Sequence, residues 1–388
     1  MRDRGRFKGG IKMRSNVKKE YKDLPIAGIS LSNWVRLLIE NQGVDRKFFE
    51  KAFYVSSESC KTLPLRVLES LKYEEKINNC EVKNPPIFIL GYFRSGTTYF
   101  NRLMAKDKNL GYITRAQVNT GSSEIYLASD KVVQQRASAT FPLAKEIDSV
   151  ILQADDPGEE EWALANSFPY TYAVGFYFPR NFRKAVSQAL FLEDTDNRIK
   201  NQWKESYQRL IKKITLGVQG KRLILKNPPN TGRIKTLLEL FPDGKFIHLM
   251  RDPFKVYASN LNMRKKYFPL YGFQTISEAE ISEDILWSYQ KIMGKFLEDK
   301  NTIPPENLIE IKYENFLGNE MEYMEAIYRQ FDIAGFEEAS PTFREHISEE
   351  KEQYLRFKSQ NKPNPLDLQM KNRISEDLDF AIRYWENM

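Results

Sequence analysis

The segment most suited to chemistry is a turn containing Gly91, Arg94, Ser95, Gly96, Thr97 and Thr98, placed between an apolar run and a helix-periodic stretch of Phe100, Leu103 and Met104. Its glycine spacing is that of a phosphate-binding loop. In such a loop the glycines let backbone N–H groups turn inward, and the positive end of the following helix adds to the attraction for an anion. An ordinary glycine turn is the competing reading. The pattern G-x-x-x-x-G-K-S/T of nucleoside triphosphatases is incomplete here, because Thr97 stands at the lysine position. The missing lysine argues against ATP or GTP as ligand and against a kinase or NTPase. Arg94 supplies a cation from within the loop, suited to fork onto a phosphate or sulfate, with the hydroxyls of Ser95, Thr97 and Thr98 beside it.

Two further strand-to-helix turns carry cations. Lys226 opens the run Lys226, Asn227, Pro228, Pro229, and Arg251 precedes Asp252 and Pro253. Each has a plainer reading: a surface lysine in a common turn, and a structural ion pair next to a helix capped by Asp252 with Pro253 in its first position. Upstream, Asp155, Asp156, Pro157, Gly158, Glu159, Glu160 and Glu161 form an acidic run. It is either a source of a general base or a capping arrangement with Asp156 as the cap and Glu159 three positions on.

The loop resembles the 5′-phosphosulfate loop of sulfotransferases that use 3′-phosphoadenylyl sulfate. The segment from Leu225 to Ile234 looks like the family element whose lysine contacts the transferred group. Arg251 with Ser259, eight positions on, resembles the 3′-phosphate motif. The order of these motifs, with the acidic run between them, is similar to the bacterial-type family with an RSGTT loop, over about residues 25 to 388. The resemblance implies a P-loop-like α/β three-layer sandwich around a parallel sheet. It also implies sulfuryl transfer from 3′-phosphoadenylyl sulfate to a hydroxyl without a metal, with Lys226 and Arg94 stabilising charge on the departing phosphate. Arg94, Ser95, Gly96, Thr97, Thr98, Arg251 and Ser259 would hold the donor. Lys358, in a basic stretch from Tyr354 to Pro365 expected to be a loop, would close over the nucleotide.

Related small-molecule enzymes use a histidine two positions after this lysine, where the chain has Pro228. The base expected from the resemblance is therefore Glu159 or Glu161. Many bacterial-type relatives also carry a histidine soon after the two threonines, where Tyr99 and Phe100 stand. His248 shares strand parity with Phe246 and Met250 and is read as a core residue, and His346 as exposed. The aromatic-rich stretch from Phe168 to Phe178 is either an acceptor wall or core packing.

The elements that position these groups are legible as apolar runs. Ile87 to Leu90, Leu223 to Leu225 and Phe246 to Leu249 read as buried parallel strands, and Leu308 to Ile311 as a later one. Ile234, Leu237, Leu238 and Phe241 mark a helix, as do Phe254 to Met263 and Met321 to Phe331. A helical region spans Leu31 to about Leu71. Strands alternating with helices place a ligand at the carboxyl ends of the strands.

The chain has 388 residues, 41% of them apolar and 29% charged, enough for a large core and too polar for a membrane protein. The longest apolar run is about half of the roughly 18 to 20 residues that a span needs. Two cysteines and two histidines exclude a disulfide framework and a zinc site of usual spacing. Nine Lys or Arg fall within the first 22 residues. Residues 1–24 are accordingly expected to be a basic tail, solvated or touching a membrane surface, and 25–388 a single domain. No apolar leader precedes them, so the expected location is cytoplasmic. The expected partner is a small hydroxyl acceptor, lipid-like or sterol-like more than carbohydrate. No nucleic-acid module is recognised; a non-catalytic nucleotide or nucleic-acid binder is the other alternative. Oligomeric state is not legible.

Overall fold

Four consecutive buried apolar residues, Ile87–Leu90, form β1. In the computed structural model, which describes residues 21, 24–120, 144–147, 150–192, 195–358 and 366–388, β1 is the middle strand of a parallel sheet. Its companions are β2 (Leu110–Gly111), β3 (Arg222–Lys226), β4 (Lys245–Met250) and β5 (Leu308–Lys312). The spatial order is β2-β3-β1-β4-β5. Register aligns Phe88 with Leu225 on one side and with Phe246 on the other.

Alternation along the strands divides their side chains between two cores. Phe88, Leu90, Leu225 and Phe246 face one, and Ile87, Ile89, Ile224 and Ile247 face the other. Both faces are covered, which is why the strands read as unbroken apolar runs rather than alternating ones. Phe88 stacks on Phe246 with ring centroids 5.3 Å apart. Removing such a buried ring costs about 3 to 5 kcal/mol.

The strand order turns about β1, so the ends of β1, β3 and β4 surround one crevice, the position where α/β sheets bind ligands. Each end leads into the element that carries a predicted motif: α3 (Thr97–Met104) after β1, a 3-10 turn (Pro228–Gly232) and α6 (Ile234–Leu240) after β3, and α7 (Pro253–Tyr271) after β4. α4 (Glu160–Ser167), α5 (Asn197–Gly217) and α8 (Glu278–Asp299) contribute to the first core. α9 (Glu320–Gln330) and α10 (Phe336–Lys358) contribute to the second. An antiparallel hairpin, Ala144–Ile147 with Val150–Gln153, stands apart from the main sheet.

The single helical region expected from Leu31 to about Leu71 is two helices, α1 (Leu31–Glu40) and α2 (Phe49–Asn78). Gln42 and Gly43 take φ of 61° and 80°, a left-handed turn no α-helix can continue through. The basic tail lies outside the described residues except for Tyr21 and Leu24. Among the described residues no helix is long and apolar enough to cross a membrane.

Candidate active site

The loop after β1 depends on its glycines. Gly91 has φ 137°, and a Cβ there would lie 2.5 Å from the Leu249 carbonyl oxygen. Gly96 has φ 99°, and a Cβ would lie 2.2 Å from the Tyr313 ring. Arg94 also takes a left-handed φ of 73°, unusual for a residue with a side chain. Gly96 is the N-cap of α3 and has no side chain to cap it, so the first-turn amides of Thr97, Thr98 and Tyr99 are left for an anion. Ser95 is buried and its hydroxyl donates to the Tyr92 carbonyl at 2.7 Å, bracing the loop. Thr97 is buried, whereas Thr98 is exposed.

Lys226 ends β3 alongside β1 and aims at this loop. Its Nζ donates to Thr98 Oγ1 at 3.4 Å and forms an ion pair with Glu159. Lys226 is 4% exposed, which dismisses the surface-lysine reading. On the other side of the loop, Arg94 Nε donates to Ser259 Oγ at 2.8 Å, and Arg251 donates to the Arg94 carbonyl at 3.3 Å. Arg94 thus links two residues that their helical spacing alone would not bring together. Arg251 lies over the Tyr313 ring at 5.0 Å. Asp252 does cap α7, accepting from the amides of Phe254 and Lys255, with Pro253 first in the helix. Cap and cation occupy adjacent positions without excluding each other.

The acidic run begins α4 at a different residue from the one its pattern suggests. Glu159 is the N-cap, and Asp156 instead pairs with Arg102 at 3.3 Å. Glu159 accepts from Lys226 and from the Trp162 indole at 3.2 Å. Glu161 is elsewhere. It accepts a bidentate grip from Arg233 at 2.7 and 2.9 Å, and further bonds from Asn227 at 2.9 Å and the Tyr172 amide at 2.7 Å. Burial pushes its pKa up, but Arg233 and these donors outweigh it and hold the carboxyl below its usual range. This corrects the expectation of Glu161 as a base, since both oxygens are engaged inside the protein. Glu160 is fully buried; burial raises its pKa to about 7 against the hydrogen bond from Tyr207 at 2.9 Å. Asn230 donates to the same oxygen at 3.0 Å.

Both histidines are core residues. His248 stacks on Phe296 with centroids 3.7 Å apart, and burial lowers its pKa to about 3. His346, expected to be exposed, is 2% exposed, and burial likewise lowers its pKa to about 3. The missed signal is its place with Phe343 and Ile347 on the inward face of α10. The loop expected from Tyr354 is helical as far as Lys358, because α10 continues that far. The side chain of Lys358 and residues 359–365 lie outside the described residues. Phe168, Tyr172, Phe176, Tyr177 and Phe178 are buried, so most of the aromatic stretch is core. Half-buried Trp162, whose indole bonds Glu159, packs against half-buried Tyr271 with ring centroids 6.4 Å apart. Tyr313, Asn227, Asn230 and Arg233 were not assigned from sequence. A run of polar residues directly after a buried strand is the sign that marks the last three.

The sequence model of a sulfotransferase family matches residues 85–338. The chain is 26% identical over 329 residues to omega-hydroxy-beta-dihydromenaquinone-9 sulfotransferase Stf3 of Mycobacterium bovis, covering 83% of this chain and 82% of that one. The Mycobacterium tuberculosis protein of that name matches to the same extent. Sulfotransferase STF1 from Mycobacterium tuberculosis superposes with a TM-score of 0.62 at 16% identity, covering 89% of this chain and 98% of that chain. STF9 from Mycobacterium avium gives 0.62 at 17% identity, with 98% of both chains covered. These two structures share the fold. The chain belongs to the sulfotransferase family and is an enzyme of that class.

Proposed function

We propose that this member of the sulfotransferase family carries the sulfuryl group of 3′-phosphoadenylyl sulfate to the hydroxyl of a lipid-like alcohol. The observation supporting it most directly is the meeting of Lys226, Thr98 and Glu159 beside an uncapped helix start, with Arg94, Ser259 and Arg251 linked on its far side. The residues fit such a donor: the loop offers unpaired first-turn amides where the glycines leave no room for a side chain, and cations flank it.

When bound, the donor supplies an activated sulfuryl group and an anionic leaving phosphate. The amides of Thr97 and Thr98 bind its oxygens, and Arg251 with Ser259 holds the 3′-phosphate. Lys226 stabilises charge growing on the departing oxygen, a fixed cation favouring the transition state over the ground state. Glu159, the partner of Lys226, takes the proton of the acceptor hydroxyl. Residues 25–388 act as one catalytic unit in this reading, and the basic tail favours an anionic surface. A lipid-like acceptor is supported by the half-buried Trp162 that bonds Glu159, with Tyr271 packed on its ring, and by the omega-hydroxylated menaquinone in the name of the 26% identical relative.

Lys226→Ala should lower turnover by about 10³-fold. Calorimetry should show the variant still binding adenosine 3′,5′-bisphosphate, and Arg251→Ala should weaken that binding. A Lys226→Ala enzyme as active as wild type overturns the assignment. Mass spectrometry of products from a panel of isoprenoid alcohols, sterols, phenols and sugars identifies the acceptor class.

A further inference from the structure

The long helix α2 carries an apolar row that the fold does not cover. Its buried residues, among them Val55, Tyr73 and Ile77, pack inward. On the opposite side Phe49, Phe53, Leu63, Val67 and Leu71 are exposed, Phe53 and Leu71 by 76% and 82%. At about 100° per residue these five fall within roughly 80° of arc, along about 33 Å of helix. Ser56 and Cys60 fall in the same arc and divide it into two clusters, Phe49 with Phe53 and Leu63 with Val67 and Leu71, which together form an interaction surface rather than scattered surface apolar residues.

Its surroundings select the occupant. The ring of Tyr21, where the basic tail meets the described chain, packs against Tyr54 of α2 with centroids 6.1 Å apart. Tyr21 thus sits beside this helix, and the first 22 residues of the chain hold nine Lys or Arg against Asp3 and Glu20. An anionic bilayer matches both the apolar row and the basic tail, whereas a second copy would match the row alone. The same end of α2 is fastened to the C-terminal end of α7. Lys51 Nζ donates to the carbonyls of Pro269, Leu270 and Gly272 at 2.9, 2.8 and 2.9 Å, at the end of α7. Leu270 is exposed there, and the next residue, Tyr271, packs on Trp162, whose indole bonds Glu159.

We propose that α2 lies along an anionic lipid bilayer with its apolar row inserted among the acyl chains. A lipid alcohol then leaves the bilayer past Leu270 and Tyr271 toward Glu159. The delivery step rests on the lipid-acceptor reading above; the docking step does not.

The test is sedimentation of the full chain with vesicles of phosphatidylcholine alone and of phosphatidylcholine mixed with phosphatidylglycerol, which needs neither donor nor acceptor. Wild type should sediment with the mixed vesicles and be released by salt. Phe53→Ser combined with Leu71→Ser should lower the partition about tenfold, and should leave turnover of a short water-soluble alcohol unchanged. Deleting residues 1–20 should remove the preference for the anionic lipid while the apolar contribution persists. Equal sedimentation of wild type and the double variant overturns the proposal. So does light scattering that shows a wild-type dimer converted to monomer by the same substitutions, which would make the row a contact between copies. Vesicle binding without turnover of any alcohol would count against the function reading and leave the docking surface standing.

Discussion

Two cation–carboxylate pairs at the start of α4 differ in what surrounds them. Glu161 and Arg233 are sealed, with side chains 3% and 0% exposed, and the guanidinium also donates to the Ala189 carbonyl and lies over the Trp203 ring. Glu159 and Lys226 sit at the crevice, and Glu159 keeps 21% of its side chain open. Arginine holds the sealed pair because its rigid fork satisfies a carboxylate bidentately while further donors point elsewhere. Lysine holds the open one, where a point charge on a flexible stem can turn between Glu159, Thr98 and a ligand. Two positions of one acidic run, with Glu160 between them, are thereby divided between holding the turn after β3 and facing the reaction.

The contrast is most strongly broken at the sealed pair. Arg233→Met leaves Glu161 buried without its countercharge and should destabilise the protein by about 3 to 5 kcal/mol, read by denaturant unfolding. Glu159→Gln should do the reverse: turnover falls by about 10² to 10³-fold, with a smaller stability loss than Arg233→Met because the glutamine carbonyl oxygen and Thr98 Oγ1 can still accept from Lys226. Similar stability losses in both variants would erase the distinction.

Glu160, between them, sharpens the comparison through pH. Its folded value of about 7 lies above the 4.5 of a free glutamate, so the unfolded chain releases the proton first. Stability from this group is complete below about pH 4.5, declines as pH rises toward 7, and levels off above it, by up to about 3 kcal/mol. Glu160→Gln should flatten that decline in melting curves taken across the range. The buried histidines act in the opposite direction: with pKa values lowered to about 3, they lose stability as pH falls below about 6.5. His248→Phe should therefore improve stability at pH 5 relative to wild type. The smallest expected effect is at Ser259. Removing the hydroxyl that accepts from Arg94 should weaken binding of adenosine 3′,5′-bisphosphate by about 1 kcal/mol, measured by calorimetry.

Residue pattern alone determined four strands of the parallel sheet, though not the two-residue β2, and the three loops at its carboxyl edge. The strands are buried on both faces, so their apolar runs are unbroken, and the glycines of the β1 loop follow from its left-handed φ, whereas the atoms that exclude a Cβ there, the Leu249 carbonyl and the Tyr313 ring, come from distant parts of the chain. Local rules did not determine the partners of charged side chains. Whether Glu159 or Glu161 meets Lys226 depends on how α4 packs against the turn after β3, separated by about 65 residues of chain. His346 is inside because α10 lies on α3, and Arg94 joins Arg251 to Ser259 only once β1 and β4 are neighbours. Burial, counterion and open solvent are properties of an assembled surface, and they decide which of several chemically equal carboxylates is available for chemistry.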